Sequence, residues 1–150
     1  MLSNIQEYCS ETVNRNDLQE ISGIRVREAK ALLEKGHFAG AYYLAGYSVE
    51  CAIKACIAKQ IKRYEFPDKN LANDAWSHNL GNLMKIAGLG IELQAAVKTN
   101  KNLELNWAVV KDWNESSRYE TGITRSQASD LCAACFMRGV GILSWVRKRW

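Results

Sequence analysis

The chain has 150 residues, 47% of them apolar and 24% charged, with a formal net charge of +4. That length fits one domain, residues 1–150, able to bury roughly 70% of its unfolded surface without metals or disulfides. The composition excludes disorder, which needs low hydrophobicity and high net charge, and the mild positive charge permits an anionic partner without implying one.

A short helix over Asn4–Val13 precedes the first clear start signal, Asn16-Asp17-Leu18-Gln19, in which Asn16 can cap and Gln19 can reach back. Leu18, Ile21, Val26, Ala29, Leu32 and Leu33 then form one apolar stripe, and Gly36 ends the helix. From Phe38 to Ile61 apolar or small residues run almost all the way round, the mark of a central, buried helix, and Gly40 and Gly46 would let neighbours approach it closely. Lys62–Trp76, with the single proline Pro67, reads as the longest irregular stretch. Ser77 is the expected N-cap of a helix whose apolar face is Leu80, Leu83, Met84 and Ala87 and which Gly88 closes. Further helices are expected over Ile91–Lys98 and Asn106–Asn114, the second carrying Trp107, Val110 and Trp113. After a turn over Ser116–Gly122, Thr124-Arg125-Ser126-Gln127 fits a capping box. One helix is expected from there to the C-terminus, with Leu131, Cys135, Ile142 and Trp145 inward.

Turn signals every 8–12 residues, which a β-sandwich would show, are missing, so the fold class is all-α. The five cysteines, Cys9, Cys51, Cys56, Cys132 and Cys135, are an odd number and point to a reducing compartment, the cytoplasm. Met1–Asn16 is polar, without the apolar core of a signal peptide, and no run of 18 apolar residues suggests a membrane span.

Chemistry-bearing residues are few. Glu50 and Lys54 are the main charges of the buried helix, share one face at i,i+4 with Tyr43 and Tyr47, and read either as a polar site on a cleft or as a structural ion pair fixing register. His78, in the first turn of a helix, is a ligand contact or a simple capping residue. Arg118-Tyr119 in a turn can bind phosphate or anchor the turn by a salt bridge. Cys132 and Cys135 form a C-x-x-C without a second ligand pair, which favours core packing over a metal site. Trp107, Trp113 and Trp145 at helical spacings read as core, and Arg147-Lys148-Arg149 as cations satisfying a helix C-terminus. No phosphate-loop, dinucleotide or metalloprotease motif is present, and no metal or cofactor is expected.

Arg27-Glu28-Ala29-Lys30 through Gly36, followed by Ala41-Tyr42-Tyr43-Leu44-Ala45-Gly46-Tyr47-Ser48-Val49-Glu50-Cys51-Ala52-Ile53-Lys54-Ala55, resembles the HEPN domain (higher eukaryotes and prokaryotes nucleotide-binding) of the prokaryotic stand-alone type. Ser77-His78-Asn79-Leu80 with Leu83 is similar to that family's His-x-Leu-x-x-Leu segment, and Ser117-Arg118-Tyr119 to its Arg-Tyr element; the resemblance covers about residues 17–146. It implies an antiparallel, up-and-down bundle of four to five helices that forms a homodimer, often beside a minimal nucleotidyltransferase in a toxin–antitoxin or defence setting. Many members of the family are metal-independent ribonucleases, marked by Arg followed four to six residues later by His. That signature is absent: the positions before His78 hold Leu71, Ala72 and Asn73, those before His37 hold Lys30, Ala31 and Leu32, and no histidine follows Arg118. The resemblance therefore implies a non-catalytic module binding nucleotide, RNA or a nucleotidyltransferase, with Tyr47, Glu50, Lys54, His78, Arg118 and Tyr119 lining its cleft. The alternatives are a ribonuclease toxin with a divergent site using Arg118 and His78, and a purely structural interaction domain.

Overall fold

The computed structural model describes residues 13–61 and 69–150. Among them are eight α-helices, α1 (Arg15–Glu34), α2 (Phe38–Gln60), α3 (Lys69–Asp74), α4 (Leu80–Ile86), α5 (Gly90–Thr99), α6 (Lys101–Val110), α7 (Arg125–Phe136) and α8 (Ile142–Arg147), a 3-10 turn over Glu115–Tyr119, and no strand. The all-α class expected from the sequence is observed.

Local signals explain most of the boundaries. A capping box opens α1, but it is built by Asn14 and Asp17 and not by Asn16 and Gln19: the Asn14 side chain accepts from Asp17 N, and Asp17 accepts from Asn14 N at 2.8 Å. Both candidate asparagines look alike in sequence; the one two residues upstream has the short acidic partner at the third helical position. The segment Asn4–Val13 lies outside the described residues apart from Val13. At α4 the cap is Asn79, whose side chain accepts from Asn82 N, while the expected cap Ser77 accepts from Asn79 N at 3.1 Å and shapes the preceding turn. Thr124 and Gln127 make the capping box of α7 as expected.

Three elements depart from the pattern reading. Within the stretch expected to be irregular, Lys69–Asp74 is helical; residues 62–68 lie outside the described residues. The tryptophan-rich helix runs over Lys101–Val110 and not Asn106–Asn114, because Asn100 caps it by accepting from Leu103 N at 3.1 Å. The C-terminal helix is broken between Phe136 and Ile142 into α7 and α8. Gly139 takes φ +83°, and a Cβ on Gly141 would lie 2.6 Å from Met137 O, so the chain turns here on residues a continuous helix would not need. The Asn106 side chain holds the turn by donating to Val140 O at 2.8 Å. The inward set survives the break: Leu131, Cys135, Ile142 and Trp145 are all buried.

The core is organised around α2, which α1, α4, α7, α8 and the 3-10 turn all pack against. Its burial all round follows from its composition: twelve of its residues, from Ala41 to Ile57, are buried. α1 and α2 form an antiparallel hairpin, as the pairing of Ser22 Oγ with Ser48 O (2.7 Å) near its middle and of Leu32 with Gly40 near its turn shows. Gly46 is needed for close approach: a Cβ there would stand 2.2 Å from the Trp113 ring, which lies directly on the helix backbone. That contact seats the loop carrying the 3-10 turn against α2.

Candidate functional site

Tyr47, Glu50, Cys51 and Lys54 follow one another at i, i+3, i+4 and i+7 on α2 and so form a single stripe. The stripe is the floor of a groove of about 450 Å³. Leu18 and Ile21 of α1 form one wall, and Ala75, Trp76 and His78, in the segment joining α3 to α4, form the other, with Val13 at its edge.

Glu50 is 1% exposed, and its position there rests on two partners. His78 Nδ1 lies 2.7 Å from Glu50 Oε1, and Lys54 Nζ lies 3.9 Å from Oε2. With Glu50 ionised, its carboxylate only accepts, so Nδ1–H is the donor of this hydrogen bond. Burial raises the Glu50 carboxyl above its ordinary value, and Lys54 and His78 oppose that rise. The imidazole reaches Glu50 because the fully buried Leu80 and Leu83 anchor the start of α4, while the Ser77 and Asn79 side chains fix the turn before it. His78 itself remains 44% exposed, so the pair connects the interior of α2 to the groove.

Burial also raises the Tyr47 phenol to about 12 and the Cys51 thiol to about 11, so both are neutral near pH 7. The Tyr47 ring stacks on Tyr43 (centroids 5.9 Å apart, planes 7° apart), and Tyr43 stacks on Trp113 at 6.1 Å. The Arg25 guanidinium sits 5.9 Å from the Tyr47 centroid and is bound by Glu28 at 2.8 Å.

Of the six residues expected in one cleft, Tyr47, Glu50, Lys54 and His78 come together. Arg118 and Tyr119 do not line the groove; they lie exposed on the 3-10 turn, with the Arg118 guanidinium 4.9 Å from the Tyr119 centroid. Its pKa is raised, chiefly by its hydrogen bond with Tyr119 and to a smaller degree by Tyr43. The sequence reading missed Val13, Trp76 and Cys51 as groove residues and took Leu18 and Ile21 for core, whereas both are only half-buried. The signal that could have found Trp76 is its place two residues before His78.

Cys132 and Cys135 are buried in the core, as expected, and burial pushes the Cys132 thiol to about 11 and the Cys135 thiol well above its ordinary value. Among the described residues no group of three or more His, Cys, Asp or Glu side chains is placed to hold a metal, and no helix is long and apolar enough to cross a membrane.

Residues 16–148 match the family model described as HEPN domain. No curated protein and no solved structure matches the chain.

Proposed function

Since the chain belongs to the HEPN domain family, a helical family of nucleotide-binding and ribonuclease type, we propose that the α2 groove is the ligand site of a non-catalytic module that binds a nucleotide or RNA. The observation that carries this reading is the buried Glu50, held by His78 and Lys54 where α2 opens to solvent. A carboxylate that served packing alone would be replaced at little cost by an apolar side chain of similar volume. Here it orients an imidazole at the groove, beside an ammonium able to meet phosphate. We further place the module in the cytoplasm as a homodimer, in a toxin–antitoxin or defence setting with a minimal nucleotidyltransferase as partner; members of the family commonly dimerise, and the rest of this placement is drawn from the resemblance in the sequence.

The test is calorimetric titration of the full chain with AMP and a short single-stranded RNA. His78→Ala and Lys54→Ala are each expected to weaken binding about tenfold, the loss of one charge-assisted contact. Unchanged affinity in both would refute the groove as the site.

The 2.7 Å pair of His78 with Glu50 also favours a second reading, a metal-independent ribonuclease in which His78 is the base for a 2′-hydroxyl and Lys54, beside it in the groove, is the cation for the phosphate in place of Arg118, which does not line the groove. It predicts that expression arrests growth and that His78→Ala or Lys54→Ala relieves the arrest. Normal growth under strong expression rules it out.

A further inference from the structure

Trp76 is 78% exposed on the groove wall, whereas Trp113 and Trp145 in the same fold are 2% and 8% exposed. An indole so exposed, two residues from an oriented histidine, stacks on no aromatic ring among the described residues. Tyr47, the other aromatic of the groove, does not: Tyr43 stacks on its ring, and the Arg25 guanidinium lies within 6 Å of its centroid. Lys54 Nζ, at 3.9 Å from Glu50 Oε2, is beyond hydrogen-bond length, and no described residue accepts a hydrogen bond from it, so it can donate to an anion in the groove. The groove thus offers an apolar, flat surface at one side and a cation with an imidazole at the other.

We infer that Trp76 is the stacking platform for an unpaired nucleobase, whose phosphate is directed to Lys54. This rests on the reading of the groove as a nucleotide site and narrows it to one ligand class. A base inside a duplex has both faces covered by its neighbours, so an unpaired nucleotide, and not a base within a helix, presents its face to an indole. The groove's size, about 450 Å³, lies in the range of small-molecule pockets, roughly 300–1,000 Å³. A free nucleotide and the unpaired end of a strand share this chemistry, and the experiment separates them.

The full chain, Trp76→Ala and Trp76→Phe are titrated with AMP, ribose 5-phosphate, a short oligoadenylate and a blunt RNA duplex, by calorimetry and tryptophan fluorescence. The expected result is binding of AMP or oligoadenylate with quenching, weakened about tenfold or more in Trp76→Ala and largely restored in Trp76→Phe. Ribose 5-phosphate, lacking a base, binds more weakly than AMP and equally to all three proteins, and the duplex, whose only open base faces are at its ends, binds more weakly than the oligoadenylate. Preference for AMP over oligoadenylate identifies a free nucleotide, and the reverse a strand. AMP and oligoadenylate binding to Trp76→Ala as to the unsubstituted chain overturns the inference while leaving the groove reading intact. So does unchanged affinity with a smaller assembly in sedimentation, which makes Trp76 a protein contact. No binding of any probe by the unsubstituted chain overturns the groove reading and the inference with it.

Discussion

On the groove side of α2, Glu50 is 1% exposed and is held by His78 and Lys54. On the α7 side, Cys132 and Cys135, 4% and 0% exposed, lie in the apolar cluster with Leu131, Ile142 and Val146. Both regions bury titratable groups, but a neutral thiol behaves as a small apolar side chain, and a carboxylate does not. Burial keeps the thiols protonated with no polar partner, so packing alone suffices there. The carboxyl requires partners, and one of them, His78, comes from a segment 28 residues away. The difference separates a region built for stability from one where a polar group is retained at some cost and turned toward solvent.

The comparison is broken most severely on the apolar side. Leu131→Ala removes a fully buried side chain and is expected to cost about 2–5 kcal/mol in urea unfolding, with nucleotide affinity per folded molecule unchanged. A smaller loss, about 1–3 kcal/mol, is expected for Cys135→Ser, which puts a hydroxyl into the apolar cluster. Loss of binding in either variant at full folding would erase the distinction between the two regions.

The smallest effect is the most specific. A carboxyl raised in the folded state favours folding fully below its ordinary value of 4.5, and that contribution is lost as pH climbs through the raised value. Glu50→Gln has no such loss. Its stability relative to the unsubstituted chain should therefore improve as pH rises from 4.5 through the raised value, in denaturation series across that window. Cys135→Ser should show no drift there, because the thiol titrates well above it. A flat difference for Glu50→Gln would mean that Lys54 and His78 fully offset the cost of burial.

Much of the fold was legible because its causes are local. The Phe38–Gln60 helix matches its expected span almost to the residue, since an apolar run punctuated by small residues leaves no other regular structure available. The Thr124 capping box was legible for the same reason. The break before α8 was not: Gly139 and Gly141 stand in the sequence, but the inward positions keep helical spacing across them, and spacing cannot register a turn that preserves the inward set. The Lys69–Asp74 helix was hidden by its polar, asparagine-rich composition.

The candidate site divides the same way. Tyr47, Glu50 and Lys54 were legible as one face because helical periodicity decides which residues of a segment point together. Which segment covers that face is a matter of packing between elements distant in sequence, and only the tertiary structure decided it. It brought His78 onto Glu50, laid Trp113 over Gly46, left Trp76 in water beside the histidine, and set Arg118 and Tyr119 apart on their own turn. The sequence by itself determined an all-α chain with a buried α2 bearing a carboxylate that required partners. The fold chose the partners, since the cost of a buried charge states that one is needed but not where along the chain it lies.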